Sequence, residues 1–203
     1  MKLDWAGSVG FGKRPALLVI DLALQWTKPD SLPFGSSMDA VVEATARLLE
    51  AARQRGVPVF FTTYDYDPAE PPSPYDKKVG DRNRQALDER ELELDPRLSR
   101  RPNEKVIRKK YASAFKATNF HENLTALGVD TLIVTGVSTS HCVYATCRDA
   151  TNSFHVIVPR EAVGDRCEIM HEVNLLDIEI DVGDVVPVEE VIDHLRSPSG
   201  EAE

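Results

Sequence analysis

The sequence predicts an α/β fold: one doubly wound parallel β-sheet flanked by helices on both faces. Short apolar runs recur at Ala16–Ile20, Leu132–Val134 and Phe154–Val158, too short and too β-branched for confident helices. Between them lie stretches with apolar residues at helical spacing, and this alternation gives a parallel sheet covered by helices. The first run is continuously apolar, as expected of a central strand buried on both faces.

The elements follow in order. Residues 1–14 form an N-terminal arm. Pro15–Asp21 is a strand, and residues 26–37 are a loop rich in Pro, Gly and Ser. Met38–Arg55 is a helix on Val41, Val42, Leu48, Leu49 and Ala52, stopped by Gly56. Val57–Thr63 is a second strand, with Pro58 tolerated only at its start. This strand–helix–strand unit predicts a right-handed parallel crossover. Residues 64–102 are a polar insertion in which Pro68, Pro71, Pro72 and Pro74 argue against regular structure. Within it, Asp81–Glu93 has the charge pattern of a short exposed helix. A long loop of this kind points to a lid or an oligomer contact.

Lys105–Lys109 is a third, short strand, and Phe120–Leu127 a helix ending at Gly128. A strand beginning at Thr131 is broken by Gly136, and a helix runs on to about Asn152. Phe154–Val158 is the fifth strand, Glu168–Ile180 a helix, Asp184–Val186 an edge strand and Glu189–Leu195 a last helix. Residues 197–203 are a polar tail. The 203 residues suit one domain, 1–203.

Net charge is −9 with no basic run, which argues against nucleic acid or an anionic membrane as partner. No segment has transmembrane length, and no secretory signal pattern opens the chain. Cys142, Cys147 and Cys167 are odd in number and lack zinc-type spacing, as expected of a reducing, cytoplasmic setting.

Three polar residues fall at the carboxyl ends of three strands: Asp21, Lys109 and Cys142. In a doubly wound sheet those ends converge on one crevice. A carboxylate can take a thiol proton, and an ammonium can balance the charge. Cys142 follows Ser138, Thr139 and Ser140, which are residues of the helix-cap type. At a helix start, unpaired amides and the dipole favour a thiolate. Read alone, Asp21 is equally an ordinary loop cap, and Cys142 a small buried hydrophobe.

RPALLVID, VIRKKYASAF, GVSTSHCV, and EAVGDR followed by NLLDI and GDV together resemble the isochorismatase-like cysteine hydrolase superfamily. The last pattern is similar to the subgroup of N-carbamoylsarcosine amidase and maleamate amidase. The resemblance spans Pro15 to about Leu195 and implies a three-layer sandwich. It implies Asp21, Lys109 (four residues before Ser113, hence not Lys110) and Cys142 as the catalytic set. It also implies a cis peptide between Val137 and Ser138, which turns the Ser138 amide toward that of Cys142 to form an oxyanion hole. The implied activity is hydrolysis of a small linear amide or ureido acid with release of ammonia. The implied assembly is a homo-oligomer, dimer or tetramer.

For substrate binding the resemblance points to Arg166, whose planar fork suits a carboxylate. A salt bridge from Arg166 to Asp165 or Glu168 is the structural alternative. Thr139, His141 and Trp26 are further candidates for pocket lining, with packing or helix capping as their alternatives. Nicotinamidases carry an Asp-x-His metal motif after the second strand. Here that place reads Thr63-Tyr64-Asp65-Tyr66, so neither metal nor cofactor is expected. Isochorismatase-type or nicotinamidase-like chemistry, or a non-catalytic binding role, are the rival readings.

Overall fold

The computed structural model describes residues 7–29, 35–65, 67, 69–79 and 89–197. Its strands are β1 (Pro15–Ile20), β2 (Val59–Tyr64), β3 (Lys105–Lys109), β4 (Thr131–Val137), β5 (His155–Pro159), β6 (Val163–Gly164) and β7 (Asp184–Val186). They form one sheet of order β3-β2-β1-β4-β5-β7, with β6 paired to the end of β4. All the strand pairings are parallel. The chain leaves β1 toward β2 and β3, then returns to the other side of β1 as β4. This reversal opens a crevice at the carboxyl ends of β1 and β4.

The helices are α1 (Leu24–Thr27), α2 (Asp39–Arg55), α3 (Pro74–Val79), α4 (Phe120–Ala126), α5 (Tyr144–Ala150), α6 (Glu168–Asp181) and α7 (Val188–Arg196). Alternate residues of β1 feed two cores, because strand side chains point to opposite faces. Leu17 and Val19 pack with Leu48, Leu49 and Ala52 of α2 and Val191, Ile192 and Leu195 of α7. Ala16, Leu18 and Ile20 pack with Phe120 and Leu124 of α4, Cys147 of α5, and Leu175 and Ile178 of α6. Three layers result, with β1 wholly buried between two of them.

Two glycines are required by the backbone. Gly56 caps α2 at φ 71°, its N–H donating to Ala52 and Arg53 carbonyls. Gly136 stands at φ 108°, and a Cβ there would lie 2.0 Å from the Ile20 carbonyl oxygen. That contact lets β4 press against the end of β1, where the crevice begins.

Several boundaries differ from the sequence reading. Pro74 does not exclude a helix: it occupies the first position of α3, where a missing N–H costs nothing. Ser73 and Asp76 cap that helix reciprocally, the Ser73 amide donating to Asp76 Oδ2 (2.7 Å) and the Asp76 amide to Ser73 Oγ (3.2 Å). Trp26 and Thr27 are helical rather than loop. The second strand starts after Pro58 and runs on to Tyr64. Helix α5 stops at Ala150, not near Asn152. Strand β6 was not foreseen, being two residues long. Most of the helix expected over Asp81–Glu93 lies outside the described residues, and Glu89–Leu92 are turns.

The end of the insertion is laced onto the chain after β1. Leu24 and Gln25 amides donate to the Glu93 and Glu91 carbonyls (2.9 and 3.0 Å), and the Asp95 amide donates to Leu22 (2.8 Å). Residues of the arm dock through Val9 and Gly10 amides on Asp184, and Lys13 and Arg14 amides on Asp130. Among the described residues no helix is long and apolar enough to cross a membrane.

Candidate active site

Asp21 is the first residue beyond β1, and its positive φ of 51° is one that Asp tolerates better than most residues. Lys109 is the last residue of β3, and β2 lies between the two strands. The long lysine side chain bridges that gap: Nζ donates to Asp21 Oδ2 at 2.7 Å and to Cys142 Sγ at 3.3 Å. Asp21, Lys109 and Cys142 are 5, 4 and 9 % exposed, so their interactions are little screened by water. The neighbouring Lys110 instead points outward and pairs with Glu70.

Thr62, on β2, holds the carboxylate from the other side. Its hydroxyl donates to Asp21 Oδ1 at 2.6 Å and accepts from the Asp21 amide at 3.2 Å. Sequence reasoning missed this residue. Its only signal was a threonine near the carboxyl end of a strand beside the crevice.

The thiol stands in a π-type turn, Thr139–Val143, that joins β4 to α5. The Val137–Ser138 peptide is cis. Amides on either side of Cys142, those of His141 and Val143, both donate to the Ser138 carbonyl, at 2.9 and 3.2 Å. The Ser140 amide is taken by Asp165 Oδ2 at 2.8 Å. Thr139 is fully buried, and its Oγ1 is hydrogen-bonded to His171 Nδ1 at 2.8 Å. Thr139 therefore braces the turn from within instead of lining an opening.

The protonation state differs from the sequence expectation. A thiolate was expected from the helix-start position, but burial, and next the Asp21 carboxylate, push the Cys142 thiol up to about 12. Lys109 offsets only part of this. The Lys109 ammonium itself is held well above its ordinary range: Asp21 and Cys142 outweigh the opposing effect of burial. Lys109 thus stands as an ammonium beside a thiol that burial keeps neutral. Cys147, fully buried, is raised by burial alone and makes no contribution here.

The outer residues separate into two groups. His141 stands beside the thiol, partly covered by Tyr75 and partly open to solvent, and Arg166 is exposed. Arg166 makes no ion pair among the described residues. The expected alternative partner Asp165 is engaged by the Ser140 and Cys167 amides. Tyr75 of α3, which sequence reasoning missed, meets His141: Oη lies 3.0 Å from Nε2. The detectable signal was Ser-x-x-Asp around Pro74, a helix-start pattern. Trp26 lies in α1, just after β1. It packs, partly buried, against the α2-side core. Among the described residues no group of three or more His, Cys, Asp or Glu is placed to hold a metal ion.

The model of the isochorismatase domain matches residues 15–190. N-carbamoylsarcosine amidase of Arthrobacter sp. is 38 % identical over 195 residues, covering 92 % of this chain and 73 % of that protein. Maleamate amidohydrolase of Pseudomonas putida is 38 % identical over 203 residues, covering 97 % and 93 %. Among solved structures, a cysteine hydrolase from Pseudomonas syringae superposes with a TM-score of 0.86 at 21 % identity, covering 96 % of this chain and 98 % of the other.

Proposed function

The chain belongs to the isochorismatase family, and on that premise we propose that it is a cysteine amidohydrolase cleaving a small linear amide or ureido acid. The observation that carries this reading is the Lys109 ammonium, in hydrogen-bond contact with both the Asp21 carboxylate and the Cys142 thiol in a buried crevice. The two relatives quoted above are named for amide substrates that bear a carboxylate.

The geometry suggests how such a reaction runs. Asp21 takes the Cys142 proton, and the set passes from carboxylate plus thiol to carboxylic acid plus thiolate. Lys109 stays charged throughout, so the buried site remains neutral in sum at each stage. This is why a thiol with so high a proton affinity still serves: the proton moves within the site and is not lost to solvent. The thiolate attacks the amide carbonyl, and the Ser138 and Cys142 amides receive the oxyanion. Asp21 then protonates the leaving nitrogen, ammonia departs, and a thioester remains on Cys142. Asp21 next accepts a proton from the water that attacks the thioester and returns it to the leaving sulfur, so that the acid is released and the thiol and carboxylate are restored. Arg166 at the rim offers its fork to the substrate carboxylate.

Ammonia release from N-carbamoylsarcosine, maleamate and nicotinamide, compared between the native chain and Cys142→Ser, tests the reading. Release from a carboxylate-bearing amide that the serine variant abolishes supports it. No release from any of them, or near-native turnover by the variant, overturns it.

A further inference from the structure

Tyr75 ties the 64–102 insertion to the nucleophile turn. Its ring is stacked on that of His141, with centroids 5.5 Å apart and planes 6° from parallel. Its hydroxyl is joined to His141 Nε2 at 3.0 Å. Despite these contacts Tyr75 is 54 % exposed, so a small molecule entering the crevice can reach it.

That hydrogen bond has two proton assignments. If Tyr75 donates to Nε2, its only hydrogen is used. If Nε2–H donates to the Tyr75 oxygen, the O–H is left for a ligand. Burial, and next the Lys109 ammonium, keep His141 below the usual histidine range, so it is neutral at pH 7 and carries one N–H. The surroundings favour the second assignment once an anion arrives. Burial, and next Cys142, hold the Tyr75 hydroxyl above its ordinary range, so it keeps a proton to donate, while Arg166 and Lys109 act in the opposite sense. An O–H donor joined to the residue beside the nucleophile and open to solvent can serve an anion held next to a carbonyl.

We propose that Tyr75 is a specificity-determining residue: its oxygen accepts from His141 Nε2–H, and its own O–H donates to the anionic end of the substrate alongside Arg166. The assignment rests on the cysteine-amidohydrolase reading, and it makes the preferred substrate a small amide carrying a carboxylate close to the scissile bond.

Alkylation of Cys142 tests this without needing turnover. The sulfur displaces iodide from either iodoacetate, which is anionic, or iodoacetamide, which is neutral, and mass spectrometry of the Cys142 peptide follows each. Relative to a free-cysteine peptide, the native chain should favour iodoacetate. Tyr75→Phe keeps the ring and its stack but removes the hydroxyl. It should lower the iodoacetate-to-iodoacetamide ratio about tenfold, as for loss of one hydrogen bond to a charged group. In hydrolysis, KM for the carboxylate-bearing amide should rise by a similar factor while kcat holds. An unchanged ratio, or a fall in kcat at constant KM, overturns the assignment. A Cys142→Ser chain that still releases ammonia would remove the cysteine mechanism instead, and the alkylation ratio would then judge Tyr75 on its own.

Discussion

Replacing Asp21 by Asn should move turnover and thiol reactivity in opposite directions. The substitution keeps the shape but removes the proton acceptor, so acylation should slow by about 10²–10⁴. The thiol, however, loses a repelling charge. Both the carboxylate and the sulfur touch Lys109 Nζ, at 2.7 and 3.3 Å, so they lie no more than about 6 Å apart. At an effective dielectric constant of about 20 their repulsion is at least about 3 kcal/mol, equivalent to at least about two pH units. The Cys142 thiol, pushed up to about 12 in the native chain, should therefore titrate lower in Asp21→Asn by about two pH units or more. The sign follows from charge alone: removing a nearby anion favours the thiolate. The assay is the rate of Cys142 alkylation by iodoacetamide as a function of pH, read on the isolated peptide. At pH 8 the variant should react faster than the native chain while hydrolysing amide far more slowly. A variant thiol that titrates at or above the native one refutes the electrostatic account of the site.

Lys109→Met should have the reverse effect on the thiol, raising its titration further. It should also cost stability of about 3–5 kcal/mol in urea unfolding, since Asp21 is left buried without its cation. Arg166→Ala should weaken KM for a carboxylate-bearing amide about ten- to a hundredfold, with Arg166→Lys recovering part and a neutral amide little affected; equal losses on both substrates would place Arg166 in the structure only. Glu104 receives Arg53 bidentately, at 2.7 and 2.9 Å. Burial alone would raise its pKa, but the Arg53 hydrogen bonds outweigh that and hold it below 4.5. A depressed folded-state value contributes stability above about pH 4.5 that is lost on acidification. Glu104→Gln should thus lower stability at pH 7 by about 3 kcal/mol and flatten its loss on acidification below about pH 4.5, as measured by urea titration.

The sheet and its crevice were legible because local signals agreed with the fold. Ala16–Ile20 is apolar without interruption because both faces of β1 are covered. Gly136 broke the apolar pattern where β4 must approach the Ile20 carbonyl. Asp21, Lys109 and Cys142 could be named because each ends or follows a readable strand, and chain order places those ends together. What was illegible depended on contacts distant in sequence. The elevated Cys142 thiol reflects burial and a carboxylate 121 positions away, neither visible in the local helix-start pattern that suggested a thiolate. Thr62 and Tyr75 act through partners 41 and 66 residues distant. Counting prolines obscured α3, since Pro74 is unfavourable inside a helix but neutral at its first position. Arg166 was ambiguous because its two acidic neighbours in sequence looked like partners, whereas Asp165 is engaged by backbone amides.

The covalent intermediate is the most direct test of the mechanism. The native chain is mixed with a carboxylate-bearing amide, quenched in acid within one turnover, digested, and the Cys142 peptide weighed. The expected result is an added mass equal to the substrate less ammonia, located on Cys142, appearing no later than the first equivalent of ammonia and disappearing as the acid product forms. Full ammonia release with no adduct on Cys142 at any quench time, together with retained turnover in Cys142→Ser, would contradict nucleophilic attack by this cysteine.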